Sequence, residues 1–416
     1  MSKADYFQFE HIHFKYFESV NMYEAFASLF QTKEEKVKLS RAIKYLASLI
    51  FYYNVDISTK GTGDIWFFFT HAYANRKKYL QDFNRVLQCC KNYKSFIYRK
   101  EFNIRLKRIM YVKLVACWIG QMKTTNLTWA QKIFFASKLM SAKLLIDSIY
   151  GELHDNARLV VCFCDTHVED YILVNYFNKL NVKTATLQHA VYEHKLMWWP
   201  NLYSHSDYFL GINEVAKYEA LLSGMEVEKF KIVGSMSLIN RSFDEKRKVK
   251  KIQTIGVALS GPTFEEQNYF LMESAKRIAE LLNIDVIVRL HPALKRDKYS
   301  FYFKDSRMKC DTCIGIDSFV EKSDIVILGS SNMFGDLITE SVITLRFVDS
   351  NNLDYYEIID DFKFRNFEEL FSRVNSISND FEDTYNRIEV VKKYIMPFSN
   401  PYYAYKEFFD SFGGKL

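Results

Sequence analysis

A chain of 416 residues is longer than one ordinary hydrophobic core supports, so two domains are expected. Apolar residues make up 49% of it and there are only 14 Gly and 5 Pro, a composition that excludes a low-complexity or disordered protein. The net charge of +6 is unevenly spread: 16 Lys and Arg against two acids, Asp82 and Glu101, lie between Arg76 and Lys143, which puts that segment at +14 and the remainder at −8.

The opening residues, MSKADYFQFEHIHF, carry acids and lack the apolar centre of a signal peptide. No apolar run approaches the roughly 18 residues of a membrane-spanning helix, so a cytoplasmic protein is expected. The seven cysteines read as free thiols of a reducing compartment. Cys310 and Cys313 form a CxxC with no second pair to complete a zinc site.

Residues 14–55 and 104–150 place apolar side chains at three- and four-residue spacings and predict helices. GDIWFFFTHA (63–72) predicts the first core strand. ARLVVCFCD (157–165) predicts a stronger one, apolar throughout and ending on Asp165. HVEDYILVNYFNKLN follows as a helix, and VKTATLQHA (182–190) as a strand running into Gln188 and His189. DYFLGI (207–212), the helix NEVAKYEALLSG and the strand KFKIVGS (229–235) complete the series. Continuous apolar strands alternating with helices indicate a parallel sheet covered on both faces.

The charged stretch RSFDEKRKVKK (241–251) predicts a linker, after which the same grammar resumes. IQTIGVALSGP is a strand and a turn carrying Ser260, EEQNYFLMESAKRIAELLN a helix, and IDVIVRLHP a strand ending in Arg289, His291 and Pro292. DIVILG (324–329) is a strand, SSNMFGDLITES starts a helix at Ser330 and Ser331, and ITLRFVD is a further strand. The tail from about residue 380 is helical with a break at Met396-Pro397. These elements predict an α/β protein of the GT-B type: two Rossmann-like domains whose parallel sheets face a central cleft, with helical additions at the N-terminus. The expected divisions are 1–240 and 241–385, with a C-terminal helix in 386–416 packing back on the first domain.

Side chains at the carboxyl ends of parallel strands are where such folds do chemistry. His189 and His291 both take that position. Pro292 stops the strand before it and fixes the turn, so His291 is aimed at the sheet edge. Ser330 and Ser331 offer hydroxyls and backbone amides at a helix start, which suits a phosphate. Asp336, five residues after Ser331, could reach a ribose or sugar hydroxyl, or only balance the helix dipole. Transfer from a nucleotide-activated donor needs a base for the acceptor hydroxyl and stabilisation of charge on the leaving phosphate. His189 suits the first task. His291, the Ser330–Ser331 turn and Arg289 suit the second without calling for a metal, and no cofactor is expected beyond the donor itself. Gln188, Asp165 and Ser260 are further candidates. His194 and Lys195 read equally as phosphate ligands or as a solvated turn.

The set Gln188-His189-Ala190, Arg289-Leu290-His291-Pro292 and GSSNMFGD (329–336) resembles bacterial surface-polysaccharide transferases: the CDP-glycerol glycerophosphotransferases, the capsule polysialyltransferases and the Kdo transferases. Ala190 stands where those families usually have Gly. The resemblance spans roughly 155–350 and implies His189 as general base, with His291, Ser330 and Ser331 holding the donor phosphate. It also implies a sugar donor of the CMP or CDP type, with UDP as the other option, an acceptor hydroxyl on a cell-surface or capsular glycan, and an inverting outcome. Two other readings fit the residues: polyol-phosphate transfer through the same site, and a non-catalytic partner that binds nucleotide or glycan. A nucleotide-sugar epimerase shares the fold, but the sequence points to no acid in the first domain for it.

In residues 91–143 the basic side chains alternate with aromatic and aliphatic ones, as in YKSFIYRKEFNIRLKRIMYVKLVACW. Taken as a helix, Arg99, Lys100, Arg105, Lys107 and Arg108 form a broad basic face. Such a face predicts peripheral contact with an anionic membrane, where a lipid-linked glycan acceptor would be met. No RNA- or DNA-binding motif accompanies the charge, so nucleic acid is not the expected partner.

Overall fold

The computed structural model describes residues 37–413 except 71–76, 104–107, 150–156, 164–166, 189–204, 241–248, 312–315, 332, 349–355 and 357–358. Asp165, His189, His194 and Lys195, and most of the expected linker, therefore lie outside the described residues.

The first sheet contains β1 (Tyr53–Lys60), β2 (Ile65–Phe69), β3 (Tyr93–Lys100), β4 (Leu159–Cys162), β5 (Lys183–Leu187), β6 (Tyr208–Gly211) and β7 (Phe230–Ile232). Their order is β1-β3-β2-β4-β5-β6-β7, parallel throughout except for the antiparallel β1–β3 edge pair. β2 and β4 are buried along their whole length, as continuous apolar runs require when helices cover both faces. Helices α1 (Leu39–Phe51), α2 (Lys77–Gln88), α3 (Ile109–Gln121), α4 (Trp129–Ile149), α5 (Val168–Lys179) and α6 (Glu214–Leu222) surround this sheet.

The second sheet contains β8 (Thr254–Ala258), β9 (Asp285–Arg289), β10 (Met308–Cys310), β11 (Ile325–Leu328), β12 (Thr344–Phe347) and β13 (Lys363–Phe364), all parallel in the order β10-β9-β8-β11-β12-β13. Its helices are α7 (Glu265–Leu282), α8 (Ile316–Glu321), α9 (Met333–Thr339), α10 (Phe367–Asn379), α11 (Phe381–Ile395) and α12 (Tyr402–Asp410). α7 ends where Asn283 adopts a left-handed conformation at φ 52°, the usual way to stop a helix ahead of a strand.

The polypeptide links the two sheets at its end. α11 packs on α9 and on α6, and α12 turns back onto the first sheet. Tyr405 is buried there, its hydroxyl donating to Gly234 O at 3.1 Å, and Phe409 meets Phe67 edge-on at 5.2 Å. Gly234 sits at φ +92°, and a Cβ on it would come within 2.8 Å of Pro401, so this crossing needs glycine.

The helices expected within 104–150 are present as α3 and α4, separated by a short turn at Met122–Thr124. Of the helical stretch expected over 14–55, residues 14–36 lie outside the described residues, α1 covers Leu39–Phe51, and Tyr53–Val55 instead begin β1. The five basic residues do not share one helix: Arg99 and Lys100 end strand β3, Arg105 and Lys107 lie outside the described residues, and Arg108 is buried and donates to Asn103 O at 3.0 Å. Lys94 and Lys138 are buried as well, Lys138 against Glu169 at 2.8 Å. β3 buries Lys94, Ser95, Phe96 and Tyr98, so both of its faces are partly covered.

Candidate functional site

In the second domain, the turns after β8, β9 and β11 meet at one sheet edge. Two consecutive buried amides in the first turn of α7 stitch the neighbouring turns after β8 and β11 together. Asn268 Oδ1 accepts from Ser260 N at 2.8 Å while its Nδ2 donates to Ser260 O at 3.0 Å. Gln267 Oε1 accepts from Ser330 N at 2.8 Å and its Nε2 donates to Ser330 Oγ at 3.3 Å. Ser260 Oγ closes the circuit on Ser330 O at 3.2 Å. Gly329 is obligatory here, since a Cβ on it would fall 1.9 Å from Gln267 Oε1.

Ser260 and Ser330 thus hold the turns in shape, with both hydroxyls committed to protein partners. Ser331 is half-buried, and its Oγ accepts from Met333 N at 3.2 Å, capping α9. The helix starts at Met333 rather than at the serines. His291 is exposed, and its Nδ1 accepts from Ala293 N at 3.1 Å. A neutral ring in that bond carries its proton on Nε2, which makes Nε2–H a donor for an anion. Gly261 lies across from it, close enough that a Cβ there would touch the ring at an ordinary contact distance of 3.8 Å. Arg289 pairs with buried Asp311 at 2.9 Å and keeps its side chain 23% exposed, so part of its charge is already answered.

Between the domains lies a cleft. The first domain lines it with Lys78, Tyr79 and Asp82 of α2, with Gln188, Asn213 and Ser235, and the second with Asp336 and Tyr356. Gln188 is fixed at the end of β5: its N donates to Leu210 O at 3.0 Å and its Oε1 accepts from Ile212 N at 2.9 Å. Asn213 caps α6 through Ala216 N at 2.8 Å and donates to Ile395 O at 3.0 Å, tying the cleft floor to the end of α11. Tyr356 is held by Arg346, which donates to Tyr356 O and Ile359 O, each at 2.6 Å. Burial lowers the Arg346 guanidinium to about 9.

Asp82 is 6% exposed and accepts from Arg85 at 2.8 Å. Burial raises its carboxyl above the ordinary value; Lys78 and Arg85 pull it back down, and Asp336 across the cleft adds to the rise. Two carboxylates from different domains therefore face one cleft. Of the residues singled out in the sequence, the structure brings Gln188 and Asp336 together in it and gathers His291, Ser260, Ser330 and Ser331 at the second sheet's edge. Lys78, Asp82, Asn213 and Tyr356 escaped the sequence reading. The helix after GDIWFFFTHA was the signal, since the residues following a core strand of a parallel sheet return to its carboxyl edge. Among the described residues no three His, Cys, Asp or Glu side chains come together as a metal set. Cys310 is a free thiol raised by burial.

No protein-family model and no curated protein sequence matches the chain. Solved structures do. A putative UDP-N-acetylglucosamine 2-epimerase from Listeria monocytogenes is 12% identical with a TM-score of 0.54, covering 83% of this chain and 94% of its own. The lipopolysaccharide outer core galactosyltransferase WaaB, in its apo form, is 8% identical with a TM-score of 0.51, covering 84% of this chain and 98% of its own. The S. aureus MnaA-UDP co-structure is 11% identical with a TM-score of 0.52, covering 83% and 94%.

The chain thus has the GT-B-type fold that glycosyltransferases and UDP-N-acetylglucosamine 2-epimerases share. At these identities the likeness extends to the fold and singles out no one family within it.

Proposed function

We propose that this protein is a glycosyltransferase that moves a sugar from a nucleotide-activated donor to a hydroxyl of a cell-surface or capsular glycan. One observation carries the reading: the stitched turns after β8 and β11, with His291 of the turn after β9 beside them, share a molecule with a cleft lined from both domains. The turns offer a site for the donor phosphates, and the cleft a place for the sugar between donor and acceptor sides.

The acceptor hydroxyl gives its proton to His189, and its oxygen forms the new bond to the anomeric carbon. The bond from that carbon to the phosphate oxygen breaks, its electron pair leaving on the nucleotide. His291 Nε2–H donates to that phosphate as charge grows on it. Asp336 accepts from sugar hydroxyls across the cleft. The motifs favour a cytidine donor, and the UDP held by the S. aureus structure adds uridine to the donors to be tried.

His291→Ala removes a phosphate donor from an exposed turn, so nucleotide affinity is expected to fall by about tenfold, a hydrogen bond to a charged group contributing about 1.5–3 kcal/mol. Calorimetry with the nucleotide product checks this, and unchanged affinity would take His291 out of the donor site.

A second reading, sugar epimerisation, gains from Asp82. Inverting a sugar carbon calls for proton-handling groups on either side of it, and Asp82 and Asp336 face one cleft from two domains. NMR of a nucleotide-sugar panel, with and without acceptor glycan, separates the two. Transfer predicts nucleotide release that rises with acceptor. An epimerised nucleotide sugar without acceptor, abolished in Asp82→Asn, would establish the second reading instead.

A further inference from the structure

The outer edge of the first sheet carries an apolar surface with cations beside it. β3 runs parallel to β2, so its end projects from the same sheet edge as Thr70 and Gln188, one strand beyond the cleft-lining helix α2. β1 is antiparallel and starts at that edge, which brings the end of α1 there too. Phe102, 68% exposed, follows β3 and meets Tyr52 at 5.5 Å between ring centres. Asn103 N donates to Phe51 O at 2.8 Å, and buried Arg108 bonds both Asn103 O and Ile50 O, which fixes the start of α3 against the end of α1. Ile109 and Met110, 53% and 71% exposed, open α3 at that junction. Five large apolar side chains from three segments, Phe51, Tyr52, Phe102, Ile109 and Met110, are thereby held outward on a rigid base.

The charge around them is mostly of one sign. Lys44 lies two turns before Phe51 on α1, and α3 carries Lys113 one turn after Ile109 and Met110; neither helix has an acid. Lys100 lies over the Tyr52 ring at 5.7 Å. Acids nearby are already paired: Asp56 with Arg99, Glu101, which accepts from Asn54 at 3.3 Å, and Asp147, which accepts from Tyr111 and pairs with Lys143. An isologous contact with a second copy would set these cations against one another. A soluble anionic glycan would use the cations but leave Ile109 and Met110 in water. Apolar side chains with cations beside them suit an interface of acyl chains and anionic headgroups. Among the described residues no helix is long and apolar enough to cross a membrane.

We infer that this edge is a docking surface for an anionic lipid bilayer, with Phe102, Met110 and Ile109 entering the interface and Lys100, Lys113 and Lys44 meeting the headgroups. The contact stands apart from the chemistry. Only its use, bringing a lipid-linked acceptor to the neighbouring cleft, rests on the transferase reading.

The test is co-sedimentation of the full chain with phosphatidylcholine vesicles and with phosphatidylcholine–phosphatidylglycerol vesicles. The wild type is expected to sediment with the anionic vesicles and less with the neutral ones, and salt should weaken binding. Phe102→Ser with Met110→Ser should lower the partition by about tenfold or more, since each removes an apolar side chain from the interface. Lys100→Gln with Lys113→Gln should remove the preference for anionic lipid. All four side chains are exposed, and circular dichroism should show unchanged folding. A wild type that stays in solution with anionic vesicles overturns the proposal. So does a serine double variant that binds like the wild type, or a patch-dependent dimer by light scattering without vesicle binding. Donor turnover, measured on the same variants with a soluble acceptor, should not change, so failure of docking and failure of the transferase reading are told apart.

Discussion

Replacing His189 by alanine is expected to lower turnover by roughly 100-fold or more while leaving nucleotide affinity nearly unchanged, the signature of a lost general base. The argument rests on motif and on position along the chain. His189 follows Gln188, which backbone and side-chain hydrogen bonds to Leu210 and Ile212 hold at the carboxyl end of β5 and which lines the cleft. A base is needed only on the acceptor, so donor binding at the other domain's turns should not feel its loss. Single-turnover kinetics with saturating donor, alongside calorimetry, checks both halves. Wild-type turnover in His189→Ala would remove this residue from the mechanism.

The largest effect on stability is expected at Lys138. Its ammonium pairs with Glu169 at 2.8 Å, with the two side chains only 10% and 1% exposed. Tyr45 donates to the same carboxylate at 2.8 Å, and its ring lies 4.7 Å from the ammonium. Burial first, and then the Glu169 charge, raise the Tyr45 hydroxyl well above its ordinary value, so it stays a neutral donor. Lys138→Met leaves Glu169 charged in a nearly dry site, and breaking such a pair costs about 3–5 kcal/mol. The double variant Lys138→Met with Glu169→Leu removes both charges and should recover most of that loss. Urea unfolding followed by first-domain tryptophan fluorescence measures it. A midpoint for Lys138→Met equal to that of the wild type would contradict the account.

Lys138 also shows where the sequence was hard to read. Counted with its neighbours it belongs to a segment of +14, and a surface face is the natural inference. Its burial depends on Glu169, 31 residues away, which no local pattern reveals. Strands β2, β4 and β11 were legible because full burial demands continuous apolar runs, and β5, β6, β7, β8, β9 and β12 from short apolar stretches set between helices and turns. β1 and β3 were not: the edge strand β1 exposes its second half, β3 mixes Lys, Arg and Ser into its aromatic residues, and β10 and β13 span only three and two residues. At the site, Gly, Pro and Ser mark turns after strands, so RLHP and GSS could be found from local chemistry. Asp82, Asn213 and the Gln267–Asn268 pair could not. Their roles come from which strands lie side by side, and β8 and β11 become neighbours only through a crossover.

The central claim is that the turns after β8, β9 and β11 hold the phosphates of an activated donor whose sugar enters the cleft between the domains. A crystal structure with a bound nucleoside diphosphate, CDP or UDP, tests it most directly. The account predicts phosphate oxygens at the rim formed by Gly261, His291 and Ser331, with His291 Nε2 at hydrogen-bond distance and the terminal phosphate directed toward Asp336 and Gln188. A nucleotide bound outside this edge of the second domain, or no binding of any nucleoside diphosphate at millimolar concentration, would contradict it.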